Sequence, residues 1–171
     1  MKTCVKSAEP AALSEFRRAC PKASWKELKD DALHGGQAAF QDINRTTLLD
    51  QRCLCARCEI YLAFGTALAA TNATKANRRI EHFHPKSDFG GELNWGLHWP
   101  NLWAVCQGGT QRPPEGEPLN IEHFLSPLPD NLSCDASKDH HIDNGRLPVR
   151  LEGYILAPDE VPPFPPLFVF T

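Results

Sequence analysis

No long hydrophobic run occurs in this sequence. Its longest mainly apolar stretch, Leu62 to Ala70, is interrupted by Gly65 and Thr66, well short of the ~20 residues a membrane helix needs. Nothing in it is expected to span a bilayer. A secretory signal is also lacking, because Lys2 and Lys6 are followed by Glu9 and Pro10 with no apolar segment between, and a cytoplasmic location is expected. Positive charge is not in excess: 18 Lys and Arg face 21 Asp and Glu, a net charge of −3. Without a broad basic field, any nucleic-acid binding must come from a local patch or a partner. There is no internal repeat. With 171 residues, 42% hydrophobic and 23% charged, the chain can bury one core, and wholesale disorder is excluded.

What is present is cysteine. Seven cysteines, an odd number and partly clustered, point in a reducing compartment to metal ligands or reactive thiols more than to disulfides. The surrounding pattern divides the chain into a helical N-terminal extension (1–52), a cysteine-bearing core (53–148) with an irregular insertion (107–133), and a Pro-rich C-terminal segment (149–171). Ser24 with Glu27 three residues on forms a capping box ahead of Trp25, Leu28 and Leu33, predicting a helix to about Leu33. Gly35-Gly36 breaks it. Phe40, Ile43 and Leu48-Leu49 mark a second helix ending near Arg52. Strands are predicted at Ile60 to Phe64, Arg79 to Phe83 and Leu102 to Cys106, and a helix begins around Asp135 to Lys138. Two strands followed by a helix make a ββα unit.

Cys55-Ala-Arg-Cys58 has the spacing that lets two thiolates of one tight turn reach a tetrahedral zinc at ~2.3 Å. Cys106, ending a predicted strand, and Cys134, opening a predicted helix, are the natural remaining ligands. Cys53 is their rival, and small buried thiols are the plain alternative for Cys106 and Cys134. Cys4 and Cys20 read as structural. A thioredoxin-like pair would want a βαβ context, His82 and His84 are too close together for a C₂H₂ finger, and the His-x-Glu and Pro-Cys-x-x-Cys strings of nucleobase deaminases are absent.

Read in order, CARCE (Cys55 to Glu59), RIEHFHPKS (Arg79 to Ser87), WPNLWAVC (Trp99 to Cys106) and CDASK (Cys134 to Lys138) resemble the HNH endonuclease pattern. The resemblance is greatest to the nuclease subunits of Septu-type and retron-associated anti-phage systems, and it spans Gln51 to about Pro148. It implies an α+β fold, a zinc-stapled ββα-metal core with structural Zn²⁺ on Cys55, Cys58, Cys106 and Cys134 and a separate catalytic Mg²⁺ or Mn²⁺. His82 falls at the position of the general base. Glu81 and Asp135 match metal-ligand positions; Asp139, one helical turn beyond Asp135 on the same face, stands where the family commonly has glycine and is a further candidate to join or replace Asp135. Asn101 matches the residue that holds the loop carrying the base through side-chain to backbone hydrogen bonds. Phosphate contacts are expected from Lys86, Lys138 and Arg79.

Two features of this chain bear on those roles. Arg57 stands where the family usually has an aromatic, a change expected to affect packing more than chemistry. Glu81 and His82 are adjacent on a strand and point to opposite faces unless the strand bends near Pro85. Trp95, Trp99 and Trp103 read as core aromatics, with base stacking as the alternative. The resemblance implies metal-dependent hydrolysis of phosphodiester bonds in DNA or structured RNA, with an SMC-like ATPase as partner. A catalytically inactive zinc-stabilised binding or scaffold subunit is the alternative.

Overall fold

The computed structural model describes residues 4–62, 78–87, 91, 93–106 and 133–161. Within them lie α1 (Ala11–Ala19), α2 (Trp25–Asp30), α3 (Gly36–Asp50), β1 (Arg78–His82), β2 (Leu102–Cys106) and α4 (Cys134–Asp143), with 3₁₀ turns at Trp95–Leu97 and Trp99–Asn101. The arrangement is thus mixed helix with a small two-stranded sheet.

Both halves of the predicted capping box form: the Ser24 hydroxyl accepts from the Glu27 N–H at 3.2 Å, and the Glu27 carboxylate accepts from the Ser24 N–H at 2.7 Å. The helix nevertheless ends at Asp30 instead of Leu33. The Asp31 carboxylate takes the backbone N–H groups of His34 and Gly36 at 2.8 and 2.9 Å, offering a turn in place of another helical rung. Leu33 is left 89% exposed. Gly36 is required where α2 and α3 meet, because a Cβ there would strike the Leu28 carbonyl and crowd Asp31. Helix α1 is not anticipated by the pattern reading; Pro10 at its entry and Leu13 and Phe16, three apart and buried, are its signals.

β1 and β2 pair antiparallel, from Arg78 opposite Cys106 to His82 opposite Leu102, so the first strand starts and ends one residue earlier than predicted. Two strands alone are marginal in water. Gln51 adds a rung from α3's end: its side-chain amide donates to the Ala104 carbonyl at 2.7 Å and accepts from the Ala104 N–H at 2.8 Å. All of β2 is buried. Leu48, Leu62, Trp103 and Val105 form one apolar cluster, and Leu13, Phe16, Leu28, Ile43, Trp99 and Leu102 form a second. Ile80 packs against both. Trp99 and Trp103 are therefore core.

The strand predicted over Ile60 to Phe64 is reduced, as far as it is described, to an isolated bridge between Leu54 and Tyr61. Phe64, the Thr66 to Asn77 stretch, residues 107–132 of the insertion and the Pro-rich end from 162 lie outside the described residues. Among the described residues, no helix is long and apolar enough to cross a membrane.

Candidate active site and metal centre

Cys55 and Cys58 sit on a tight knuckle closed by the Glu59 N–H on the Cys55 carbonyl at 3.1 Å and the Cys55 N–H on the Ile60 carbonyl at 2.9 Å. Cys106 is the last residue of β2 and Cys134 the first of α4. Cys134 takes a left-handed φ of 52°, uncommon for a side chain of its kind. The four sulfurs all lie within 4.8 Å of one another. Three of the separations are 3.9 Å for Cys55–Cys134, 3.9 Å for Cys58–Cys106 and 3.5 Å for Cys106–Cys134.

These distances are too long for disulfides, whose sulfurs lie ~2.05 Å apart. They match a tetrahedron with metal–sulfur bonds of ~2.3 Å, whose edges are ~3.8 Å. The cluster is thus a site that can hold a metal ion. Thiol hydrogen bonds from Cys106, Cys134 and Cys58 hold Cys55 well below the ordinary thiol range, and the Cys106 N–H points at the Cys55 sulfur from 3.4 Å. Cys53 is not part of the cluster.

Beside this centre a cleft of about 570 Å³ is lined by Arg79, His82, Lys86, Asp135 and Asp139, among others. His82 closes β1 and is 7% exposed. Its Nε2 lies 3.1 Å from the Gly96 carbonyl, which can only accept, so Nε2 carries the proton and Nδ1 the lone pair. Burial pushes the imidazole down to about 4. The Trp25 ring stands edge-on to it with centroids 4.7 Å apart, excluding water from one side.

Asn101 fastens the following loop. Its side chain accepts from the His84 N–H at 2.6 Å and donates to the His84 and Trp95 carbonyls at 2.9 and 2.8 Å. His84 itself is buried and stacks on Trp95 with centroids 4.1 Å apart.

Glu81 does not line the cleft. It faces the other way along the strand, fully buried, and meets Arg57 at 2.7 Å and Lys138 at 3.3 Å. Burial works against its charged form, but those two cations outweigh it and keep Glu81 below the usual carboxylate range. Lys138 stands at a convergence, 3.3 Å from Glu81, 3.1 Å from Asp135 and 3.3 Å from Asp139. It also donates to the His82 carbonyl at 2.8 Å. Asp135 has Arg79 at 2.8 Å on its other oxygen, and burial, reinforced by Glu81, raises its carboxyl to about 6.

Of the residues singled out from the sequence, His82, Asp135, Asp139, Lys86 and Arg79 thus share one cleft, with Asn101 behind it. Glu81 and Lys138 form a buried ion-pair layer beneath. Among the described residues, the cysteines are the only group of three or more Cys, His, Asp or Glu ligands drawn together this closely. The sequence reading missed the part Arg57 plays in that layer, and it missed Trp25 against the histidine. A charged residue at a position otherwise aromatic was the one available signal for Arg57.

Compared with known proteins, the chain is 33% identical over 172 aligned residues to an Escherichia coli protein described as "Retron Ec83 putative HNH endonuclease". The alignment covers 99% of this chain and 58% of that protein. This chain is similar to a retron-associated HNH protein. It spans a little more than half the length of that relative. No protein-family model matches the chain. No solved structure matches it either.

Proposed function

We propose that this chain is a metal-dependent HNH endonuclease that hydrolyses phosphodiester bonds in DNA or structured RNA, the cutting subunit of a Septu-like or retron-associated anti-phage complex. The observation that carries the reading is His82, a buried imidazole held neutral at the edge of a cleft that also holds carboxylates and cations. Similarity over nearly the whole chain to the retron protein supports the same class.

With Nε2–H fixed on the Gly96 carbonyl, Nδ1 is the atom that takes the proton from the attacking water. Neutral pH leaves it unprotonated. Lys86 and Arg79 bind the phosphate oxygens from the cleft wall. Asp135 and Asp139 would hold a hard divalent ion such as Mg²⁺ or Mn²⁺, joined by Glu81 where Lys138 gives way to it. Such an ion supplies charge neutralisation on the phosphoryl oxygens. Asn101 keeps the loop after the histidine in place and does not touch substrate.

The cysteine centre is read as structural zinc. It ties the knuckle, the end of β2 and the start of α4 together across residues 107–132, so the cleft's helix is fixed to its strands. A cytoplasmic setting keeps those thiols reduced. The net charge of −3 supplies little long-range attraction for nucleic acid, which is why a larger assembly, with an SMC-like ATPase as the partner class, is proposed.

One observation favours a second reading, a zinc-stabilised binding or scaffold subunit without chemistry. Lys138 already occupies the space between the three carboxylates. Cleavage of plasmid, linear duplex, single-stranded DNA and RNA across divalent ions, with and without chelator, separates the two. Metal-dependent cutting that disappears in His82→Ala supports the nuclease. Absence of cutting on every substrate, alone and with the co-purified partner, supports the scaffold.

A further inference from the structure

A second cleft, of about 560 Å³, opens where α2 and α3 lie against β1. Its apolar floor includes Trp25, Phe40 and Ile80, and its cations are Lys29, Arg45, Arg78 and Arg79. Among the described residues no carboxylate lines it, whereas the first cleft carries Asp135, Asp139 and Asp143. In a chain whose formal charge is −3, these cations, of which Arg79 is shared with Asp135 of the first cleft, make a local positive field. A concave wall concentrates that field.

The two clefts adjoin. Arg79 and Ile80 line both, and Trp25, from the floor of the second, touches the His82 ring of the first. Trp25 also meets Phe40 edge-on with centroids 5.6 Å apart. Cations above an aromatic floor are the chemistry that binds a nucleic-acid strand without reading its sequence: ammonium and guanidinium groups take the phosphates, and the rings take the base faces.

We propose that this second cleft is a substrate subsite, holding the strand that flanks the scissile phosphate, with Lys29 and Arg45 as phosphate-binding residues. The proposal rests on the nucleic-acid reading of the first cleft. It gives the helical N-terminal segment a task that none of the motif blocks accounts for. Lys29 and Arg45 are both exposed, on α2 and α3 respectively, so a strand leaving His82 past Arg79 would run between the two helices. Access to the aromatic floor requires unpaired bases, so single strands are the favoured occupant over duplex.

The test is nucleic-acid binding and cleavage by the full chain carrying Lys29→Glu, Arg45→Glu or both, each in an otherwise wild-type and in a His82→Ala background. Fluorescence anisotropy with single-stranded DNA, duplex DNA and single-stranded RNA reads affinity independently of cutting. The double variant is expected to weaken single-strand binding at least about tenfold and to reduce the dependence of log Kd on log salt by about one to two. Hydrolysis of bis-p-nitrophenyl phosphate, too small to reach the second cleft, should be unchanged. Wild-type cleavage with unaltered binding and cutting in the double variant overturns the subsite and leaves the nuclease standing. Weakened binding in variants of a chain that cuts nothing removes the nuclease and overturns the substrate subsite, leaving the cleft a strand-binding surface. A wild-type chain that binds none of the three probes overturns the subsite outright.

Discussion

The guanidinium of Arg57 grips both carboxylate oxygens of Glu81, Nη2 on Oε1 at 2.7 Å and Nε on Oε2 at 3.3 Å. A two-pronged pair of this kind is the geometry arginine provides and lysine or an aromatic ring does not. Arg57 reaches Glu81 from the cysteine knuckle, so one contact joins the cysteine cluster to β1. With Lys138 on the same carboxylate, the layer beneath the cleft is an alternation of buried opposite charges.

Breaking one side of that layer should cost more than removing it. Arg57→Leu leaves Glu81 with Lys138 as its remaining countercharge and is expected to destabilise the fold by about 3 kcal/mol. Adding Glu81→Gln to it should recover part of that loss, giving a strongly non-additive cycle in urea denaturation. Because the Glu81 pKa is held down in the folded chain, the wild-type contribution is present above the unfolded carboxylate pKa and fades as pH falls through the folded value. In Glu81→Gln that acid-side loss should shrink. Additive single and double variants would show that the pair is not coupled.

The cysteine centre should behave as a single staple. Cys58→Ser and Cys134→Ser are each expected to abolish metal retention and unfold the region around the sheet and α4, since a structural zinc site contributes ~10 kcal/mol or more. Cys20→Ser, far from the cluster in sequence and outside it in space, should leave metal content and circular dichroism unchanged. Metal analysis of purified protein at one zinc per chain checks this. Folded, metal-free wild-type protein would refute the assignment.

Asn101 offers a separation of positioning from binding. Its side chain makes its three hydrogen bonds to backbone groups, at His84 and Trp95, so Asn101→Ala frees the loop that follows His82. Stability should drop by about 2 kcal/mol, because buried backbone groups lose their partners. The cleavage rate should fall much further than affinity for nucleic acid. Equal losses in rate and affinity would indicate a collapsed cleft instead of a misplaced base.

Much of this architecture is legible in the sequence, and the reasons are local. Capping chemistry is short-ranged, so Ser24 and Glu27 announced α2 correctly; its early end depended on the Asp31 side chain choosing a turn, which no apolar spacing encodes. β2 read cleanly because all of Leu102 to Cys106 is apolar and buried. Of the four cysteines only Cys55 and Cys58 carry a spacing signal. Cys106 and Cys134, far from them along the chain, join them on the strength of their places at the end of a predicted strand and the start of a predicted helix. The sequence assigns Glu81 to the metal alongside His82, which strand alternation allows only with a bend near Pro85; Glu81 instead lies outside the cleft, and the cations awaiting it carry no local signal. Arg57 and Lys138 reach it from a knuckle and a helix whose mutual placement is a tertiary fact. In the sequence Trp25 is one more apolar helix residue, and its contact with His82 is equally tertiary.

His82 yields the most direct test of the catalytic reading. Burial lowers its pKa from the ordinary 6.5 to about 4, so the imidazole is neutral throughout the range in which an exposed histidine would be gaining a proton. The sign for stability follows. Between about 6.5 and 4 the unfolded chain takes up a proton that the folded site excludes, so stability falls as pH drops through that window and levels off below it, by up to about 3 kcal/mol in total. Catalysis should follow the folded value: at saturating divalent ion, the acid limb attributable to the base should lie near 4 to 5, with no inflection near 6.5. NMR titration of the His82 ring reads the same midpoint without reliance on turnover. His82→Ala should keep zinc and fold while reducing cleavage by ~10²–10⁴. Asp135→Ala should also cut poorly, and partial recovery of that variant in raised Mn²⁺, with none in His82→Ala, would separate an ion-holding residue from the base. If His82→Ala cuts like wild type, the histidine is not the base and the proton acceptor must be sought elsewhere in the cleft; a ring that titrates near 6.5 would show instead that burial does not hold it neutral.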